Sequence, residues 1–209
     1  MQPLIDHARN FPAAIADRRQ EFAQLAHGQR PLALFISCSD SRVVPSLVTG
    51  ARPGQLFELR TAGNIVPRYR AQAACGVAAG IEFAVKALNV PDIVGCGHSH
   101  CGAVEGLVNR RSVESLPLVQ RWLSWAGHRP SPAPTSTSTN HTPTYQETDQ
   151  DPTTIAQRHL VTQLDQLRSY PCVARRLAAG RLRLHGWFYA VDSGQVLVSS
   201  QLSRVFRPL

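Results

Sequence analysis

Lysine is all but missing from this sequence: Lys86 stands alone among 22 basic residues, so arginine carries nearly all the positive charge. The net charge of +8 and pI near 9.9 invite a nucleic-acid reading, but the arginines are scattered instead of stacked on one predicted helix, a weak footprint for that partner. Arginine as the default surface cation explains the balance with no nucleic acid, and the positive field suits small anions. Long apolar runs are also lacking. No window approaches the ~20 apolar residues of a membrane span, and Met1-Gln2-Pro3-Leu4-Ile5-Asp6-His7 holds no apolar stretch of signal-peptide length. The expectation is a cytoplasmic protein with no membrane partner. Cysteines are few and odd in number, five in all, which in a reducing compartment favours thiolate ligands over a disulfide framework. Cys75, Cys96 and Cys172 lie in apolar or small-residue surroundings and read as inert thiols.

What is present is a strand-and-helix alternation. Residues 6–26 place Ile15, Phe22 and Leu25 among Asp17, Arg18, Arg19 and Glu21 in a helical pattern, with Pro12 expected before it or in its first turn. Gly28-Gln29-Arg30-Pro31 breaks that arm. Residues 32–37, 56–60 and 92–96 read as strands; 43–50 reads as a short helix, and Pro53-Gly54 as a turn. Gly63 and Asn64 tolerate positive φ and allow a tight approach beside them. A helix over about 73–88, apolar on most sides, should be largely buried, with another subunit as one possible cover. The predicted class is α/β: a central, mostly parallel β-sheet flanked by helices, with an antiparallel C-terminal strand and an N-terminal helical arm. Helices are expected from Cys101, over 116–125 and over 154–170. Residues 128–152, rich in Pro, Ser and Thr, read as a loop insertion within one domain of residues 1–209. Residues 182–191 are β-rich, and Asp192-Ser193-Gly194 turns the chain so that 195–199 pairs back antiparallel.

Two of the strands end in metal-type ligands, and the two ends should meet. Cys38-Ser39-Asp40-Ser41-Arg42 follows the first, and Gly97-His98-Ser99-His100-Cys101-Gly102 follows the third, at the strand termini where open α/β sheets build their sites. Zn²⁺ takes thiolate, imidazole and carboxylate, and a catalytic zinc keeps three protein ligands and one exchangeable position. Cys38, His98 and Cys101 supply three. Asp40 is the remaining candidate, but Arg42 competes for it through a bidentate pair. With Asp40 on the metal the site is closed; with Asp40 on Arg42 a water takes the fourth place. A closed zinc that only braces the fold is the alternative, although a chain of this length needs no brace and Arg42 has no purpose beside one.

Cys38-Ser39-Asp40-Ser41-Arg42, Arg60-Thr61-Ala62-Gly63-Asn64-Ile65-Val66-Pro67 and Gly97-His98-Ser99-His100-Cys101-Gly102-Ala103 resemble the β-class carbonic anhydrases. The likeness continues through Leu184-His185-Gly186-Trp187 and is nearest in flavour to the bacterial, cyanate-associated enzymes with a plant-like site. The resemblance implies one zinc per chain on Cys38, His98 and Cys101, with Asp40 joining only in the closed form. It implies a catalytic Asp40–Arg42 dyad, a substrate-orienting Gln29, the Gly102 backbone N–H as a donor to substrate oxygens, and an apolar CO₂ pocket of Phe57, Ala62 and Phe83 lined partly across a dimer interface. A tyrosine is common in the family at position 83. Phe35 stands where a bicarbonate-inhibited subgroup has tryptophan, which argues against an allosteric anion pocket, though Arg60 remains a cation available to anions. The implied assembly is a homo-dimer or tetramer, with the N-terminal and alanine-rich helices at the interface.

The activity so implied is reversible hydration of CO₂ to bicarbonate and a proton by zinc-bound hydroxide, with His100 as a candidate proton relay. Hydrolysis of CS₂ or COS on the same scaffold is the nearest enzymatic alternative. A catalytically silent zinc protein is a second one, against which the presence of Gln29, Asp40 and Arg42 speaks.

Overall fold

A computed structural model describes residues 1–72, 75–127, 151–199 and 205–209. In chain order the elements are α1 (Gln2–Ala14), α2 (Arg19–Leu25), β1 (Ala33–Cys38), α3 (Pro45–Thr49), β2 (Leu56–Thr61), α4 (Gly76–Lys86), β3 (Asp92–His98), α5 (Gly102–Val108), α6 (Pro117–Leu123), α7 (Pro152–Arg168), α8 (Pro171–Ala178), β4 (Arg183–Tyr189), β5 (Val196–Ser199) and β6 (Phe206–Pro208). The strands form one sheet in the order β2-β1-β3-β4-β5-β6. The first four run parallel and the last two antiparallel. The α/β class and the mostly parallel sheet are as the alternation predicts.

Burial explains why the central strands read as unbroken apolar runs. Every residue of β1 is buried, as are all of β3 after Asp92, the signature of parallel strands covered on both faces. Leu34 and Ile36 of β1, Ile93 of β3 and Leu184 of β4 share a core with Ile81, Ala84 and Val85 of α4 and Leu167 of α7. α7 crosses the sheet on a stripe of Ile155, Ala156, His159, Leu160, Gln163 and Leu167, all buried, at the spacing one helical face requires. Two of those six are polar, and they return below.

Several boundaries differ from expectation. The N-terminal arm is two helices, and Pro12 sits inside α1, near its C-terminal end. A proline there removes one i→i−4 hydrogen bond and the helix ends two residues on, at Ala14. Residues 73 and 74 of the predicted alanine-rich helix lie outside the described residues; α4 starts at Gly76, with the Cys75 sulfur accepting the Ala78 N–H at its N-cap. That helix is buried on one face only, since Phe83 is 48% exposed. The insertion 128–152 lies outside the described residues up to 150, while Asp151 and Pro152 belong to α7. Asp151 accepts N–H bonds from Thr153 and Thr154, and a capping Asp followed by Pro at the first helical position is a strong start signal. Two antiparallel C-terminal strands replace the expected one. β6 is three residues long, too short for a periodic pattern, and is seated by Phe206 against Phe188, with ring centroids 6.0 Å apart.

The register positions the site. Cys38 pairs with Thr61, and His98 pairs with Tyr189. The carboxyl ends of β1, β2 and β3 therefore converge on one rim of the sheet.

Candidate metal centre

On that rim the Cys38 and Cys101 sulfurs lie 4.0 Å apart. With a ring nitrogen of His98 they form a set of donor atoms all within 4.8 Å of one another, and all three residues are buried. Among the described residues this is the only such group of three. β1 delivers Cys38 and β3 delivers His98. His100 then takes a left-handed conformation (φ 56°) that turns the chain, so that Cys101 comes to the N-terminus of α5 three residues after His98.

The local hydrogen bonds prepare these atoms for a cation. His98 Nδ1 lies 2.8 Å from the Ser99 carbonyl, which can only accept, so Nδ1 carries the proton. Nε2 is left with a lone pair, buried and without a hydrogen-bond partner. A ring fixed by its second nitrogen is the usual state of a metal-bound histidine. The two sulfurs are within hydrogen-bond reach of each other, either one able to donate, and that contact favours ionisation of one thiol of the pair, lowering the pKa of Cys38 and raising that of Cys101. The Gly63 N–H, 3.3 Å from the Cys38 sulfur, adds to the thiolate's stability. Two thiols and an imidazole with an orphaned nitrogen fit a divalent, borderline-soft ion such as Zn²⁺.

Asp40 is held away from this triangle. Arg42 donates to it three times, from its backbone N–H (2.9 Å) and Nε (3.0 Å) to Oδ1 and from Nη2 (2.7 Å) to Oδ2. The Arg42 guanidinium beside it holds the Asp40 carboxyl well below the usual carboxylate range. Arg42 is steadied in turn by the His100 carbonyl, 3.0 Å from Nη2.

Other expected residues divide into two groups. Ala62 follows Thr61, the register partner of Cys38, and lies on the same rim. Gly102 follows Cys101, and a Cβ built on it would meet nothing within 4 Å, so open space faces its backbone. Gln29, Phe57 and Phe83 are elsewhere. Gln29 precedes the start of β1, at the end opposite Cys38; Phe57 pairs with Leu34, four residues back from Thr61 or about 13 Å along the strand. The Phe57 and Phe83 rings pack against each other at a tilt, with centroids 5.8 Å apart. These three do not reach their own chain's donor cluster.

Arg60 is not free for anions. It donates to the carbonyls of Cys38 (3.2 Å), Asp40 (2.8 Å) and Val43 (2.6 Å), clamping the loop that carries the dyad. Of the cysteines outside the cluster, burial pushes the Cys96 thiol up to about 12 and raises Cys172 as well, which disfavours the reactive thiolate at both.

An open, mostly parallel α/β sheet with a Cys-His-Cys donor triangle and an Arg-held carboxylate at the carboxyl ends of adjacent strands defines a metal-site enzyme scaffold. Residues 33–196 match the family model for carbonic anhydrase. The chain is 42% identical over 207 residues to a carbonic anhydrase of Pseudomonas aeruginosa, covering 99% of this chain and 90% of that protein. It is 41% identical to one of Synechococcus elongatus, covering 97% of this chain and 73% of the relative. Among solved structures, the β-carbonic anhydrase CcaA superposes with a TM-score of 0.85 at 36% identity, over 100% of this chain and 92% of that one. The chain therefore belongs to the carbonic anhydrase family, and within it to the β class.

Proposed function

We propose that this carbonic anhydrase hydrates CO₂ reversibly through zinc held by Cys38, His98 and Cys101. The observation that carries the reading is the preorganised donor set: a buried, unpartnered His98 Nε2 beside two thiols whose sulfurs lie 4.0 Å apart. Zinc, when bound there, supplies a positive charge that ionises water near neutral pH. The two thiolates moderate that charge more than imidazoles would, so activity rises with pH.

The protein's own groups do the rest. Asp40 stays ionised and correctly turned because both its oxygens are engaged by Arg42. It accepts a hydrogen bond from the nucleophile and so selects the lone pair that attacks. The Gly102 N–H, on a residue with open space beside its Cα, donates to the oxygens of CO₂ as they gain charge. Ala62 lines the apolar side.

Gln29, Phe57 and Phe83 complete the site of a second copy of the chain. A homo-dimer or tetramer also accounts for α1, which buries none of its residues and leaves Leu4 69% and Phe11 43% exposed. Two β-carbonic anhydrases of Sordaria macrospora that share the fold (TM-score 0.68) are tetrameric. Among the described residues no helix is long and apolar enough to cross a membrane.

The test is stopped-flow CO₂ hydration between pH ~6.5 and 9 on metal-analysed protein, with Asp40→Asn alongside. Fast hydration that rises with pH, needs about one zinc per chain and falls in the variant supports the reading. A full zinc complement without hydration at any pH removes it, and CS₂ and COS are then the substrates to try.

A further inference from the structure

The turn that hands the Gly63 N–H to Cys38 is held from outside by three side chains. Trp122 Nε1 donates to the Ala62 carbonyl (2.8 Å), His159 Nε2 lies 2.7 Å from the Gly63 carbonyl, and Gln163 Oε1 accepts the Val66 N–H (3.0 Å). His159 and Gln163 stand one turn apart on α7, 1% and 2% exposed. Two polar side chains in the buried stripe of a helix carry a desolvation cost that an apolar pair would avoid.

The backbone selects their chemistry step by step. The Val66 N–H can only donate, so the Gln163 atom facing it is the carbonyl oxygen. Its amide nitrogen is left to share its two hydrogens among the Ala126 carbonyl (3.1 Å), the His159 carbonyl (3.3 Å) and His159 Nδ1 (3.4 Å). His159 Nε2 faces the Gly63 carbonyl, which can only accept, so Nε2 carries a proton, and Nδ1 faces an amide nitrogen that can only donate. Every link from Val66 to Gly63 is consistent with a neutral His159 in one tautomer.

Backbone preference permits this turn but does not by itself fix its shape. Gly63 (φ 72°) and Asn64 (φ 47°) are both left-handed, and the second is not a glycine. Rotation of the Gly63 residue by a few tens of degrees would carry its N–H off the sulfur, because such bonds weaken steeply as they bend.

We propose that His159 is a positioning residue of the metal centre. By anchoring the Gly63 carbonyl on one side of that residue, while Trp122 holds the Ala62 carbonyl in the peptide plane that carries the Gly63 N–H, it helps keep that N–H on the Cys38 sulfur and so sets how much charge that thiolate delivers to a bound divalent cation. Hydrogen bonds around a ligand tune its basicity and the metal's affinity. The second half of this inference rests on the zinc reading above, and the first does not.

The test uses full-length chain labelled with [¹⁵N]glycine, read first without metal. His159→Phe keeps the ring and removes the donor, while His159→Gln returns an N–H at similar reach. In His159→Phe the Gly63 amide exchanges with solvent at least about tenfold faster. Zinc retention against a chelator falls about 10- to 100-fold, and the thiolate-to-cobalt charge-transfer band of the cobalt(II) form shifts. His159→Gln recovers all three to within about threefold. Leu160→Ala, which thins the same helix face and packs on β3, lowers stability and leaves the Gly63 amide unchanged. Should His159→Phe not fold, His159→Asn, whose donor falls short by about one bond, is read in the same way. A donor-less variant with amide exchange and zinc retention within about twofold of wild type overturns the proposal, as does Leu160→Ala reproducing its effects. If wild-type protein retains no zinc, the zinc reading fails, while the metal-free amide measurement still decides the clamp.

Discussion

Replacing Gly63 by alanine tests the geometry of the centre most directly. Gly63 has φ 72° and ψ 21°, a left-handed conformation costing a residue with a side chain about 1–2 kcal/mol. The new Cβ would lie 2.9 Å from the Ala103 Cβ, closer than two carbons settle, and Ala103 is anchored in the first turn of α5. Overpacking against a fixed neighbour costs about 1–3 kcal/mol, offset by about 0.4–1 kcal/mol from a less flexible unfolded chain. The expected net loss is about 2–4 kcal/mol, or roughly 5–15 °C in Tm for a chain of this size. The strain has a specific direction, because the way to relieve it is to push back the helix start that carries Cys101 and Gly102 or to withdraw the Gly63 N–H from Cys38. Zinc content and CO₂ hydration should therefore fall further than stability alone explains. Gly50 is the control, with φ 67° and nothing within 4 Å of a built Cβ. Gly50→Ala should cost about 1 kcal/mol and leave zinc per chain unchanged. Urea unfolding, zinc analysis and stopped-flow hydration on both variants decide the matter. If Gly63→Ala is as stable as Gly50→Ala and binds a full complement of zinc, the close packing of the turn on α5 is wrong.

Asp40→Asn should retain zinc and lose about 100-fold or more in hydration rate, the range for removing a preorganised polar group at the reacting centre; stopped-flow on zinc-replete variant checks it, and a loss under threefold refutes the role. Asp92 accepts both Arg183 (2.7 and 2.7 Å) and His185 (2.7 Å), and the Arg183 guanidinium lowers its pKa. A carboxyl lowered on folding contributes stability that is present above its unfolded pKa of about 3.9 and is lost as pH falls through the folded value. Asp92→Asn should accordingly be less stable than wild type at pH 7, with the gap closing as pH drops below about 4 in urea unfolding; a gap independent of pH removes the explanation. His100→Gly should relieve the left-handed backbone, raising stability by up to about 1 kcal/mol. Unchanged turnover of that variant in weak buffer would exclude His100 as a proton relay.

Much of this molecule is legible in the chain because its signals are local. Apolar runs of strand length ending in Cys38 and His98 determine two parallel strands and the rim they share. Period-2 and period-3.6 patterns carry the class of the fold, and the Cys-x-Asp-x-Arg and His-x-x-Cys spacings carry the donor set and its guard. Where a local signal is ambiguous the boundary shifts, as at Pro12 inside α1, or at Asp151-Pro152, read as loop yet acting as cap and first turn. The tertiary structure decided what depends on residues distant in sequence. It turned Arg60 from an available cation into a clamp on three carbonyls, placed Gln29, Phe57 and Phe83 at the far end of the strands from their own cluster, and brought His159 and Gln163 onto the Gly63 turn about 100 residues away. A hydrogen bond between a side chain and a remote backbone carbonyl leaves no pattern in the sequence, because every residue offers the same carbonyl and only packing determines which one is met.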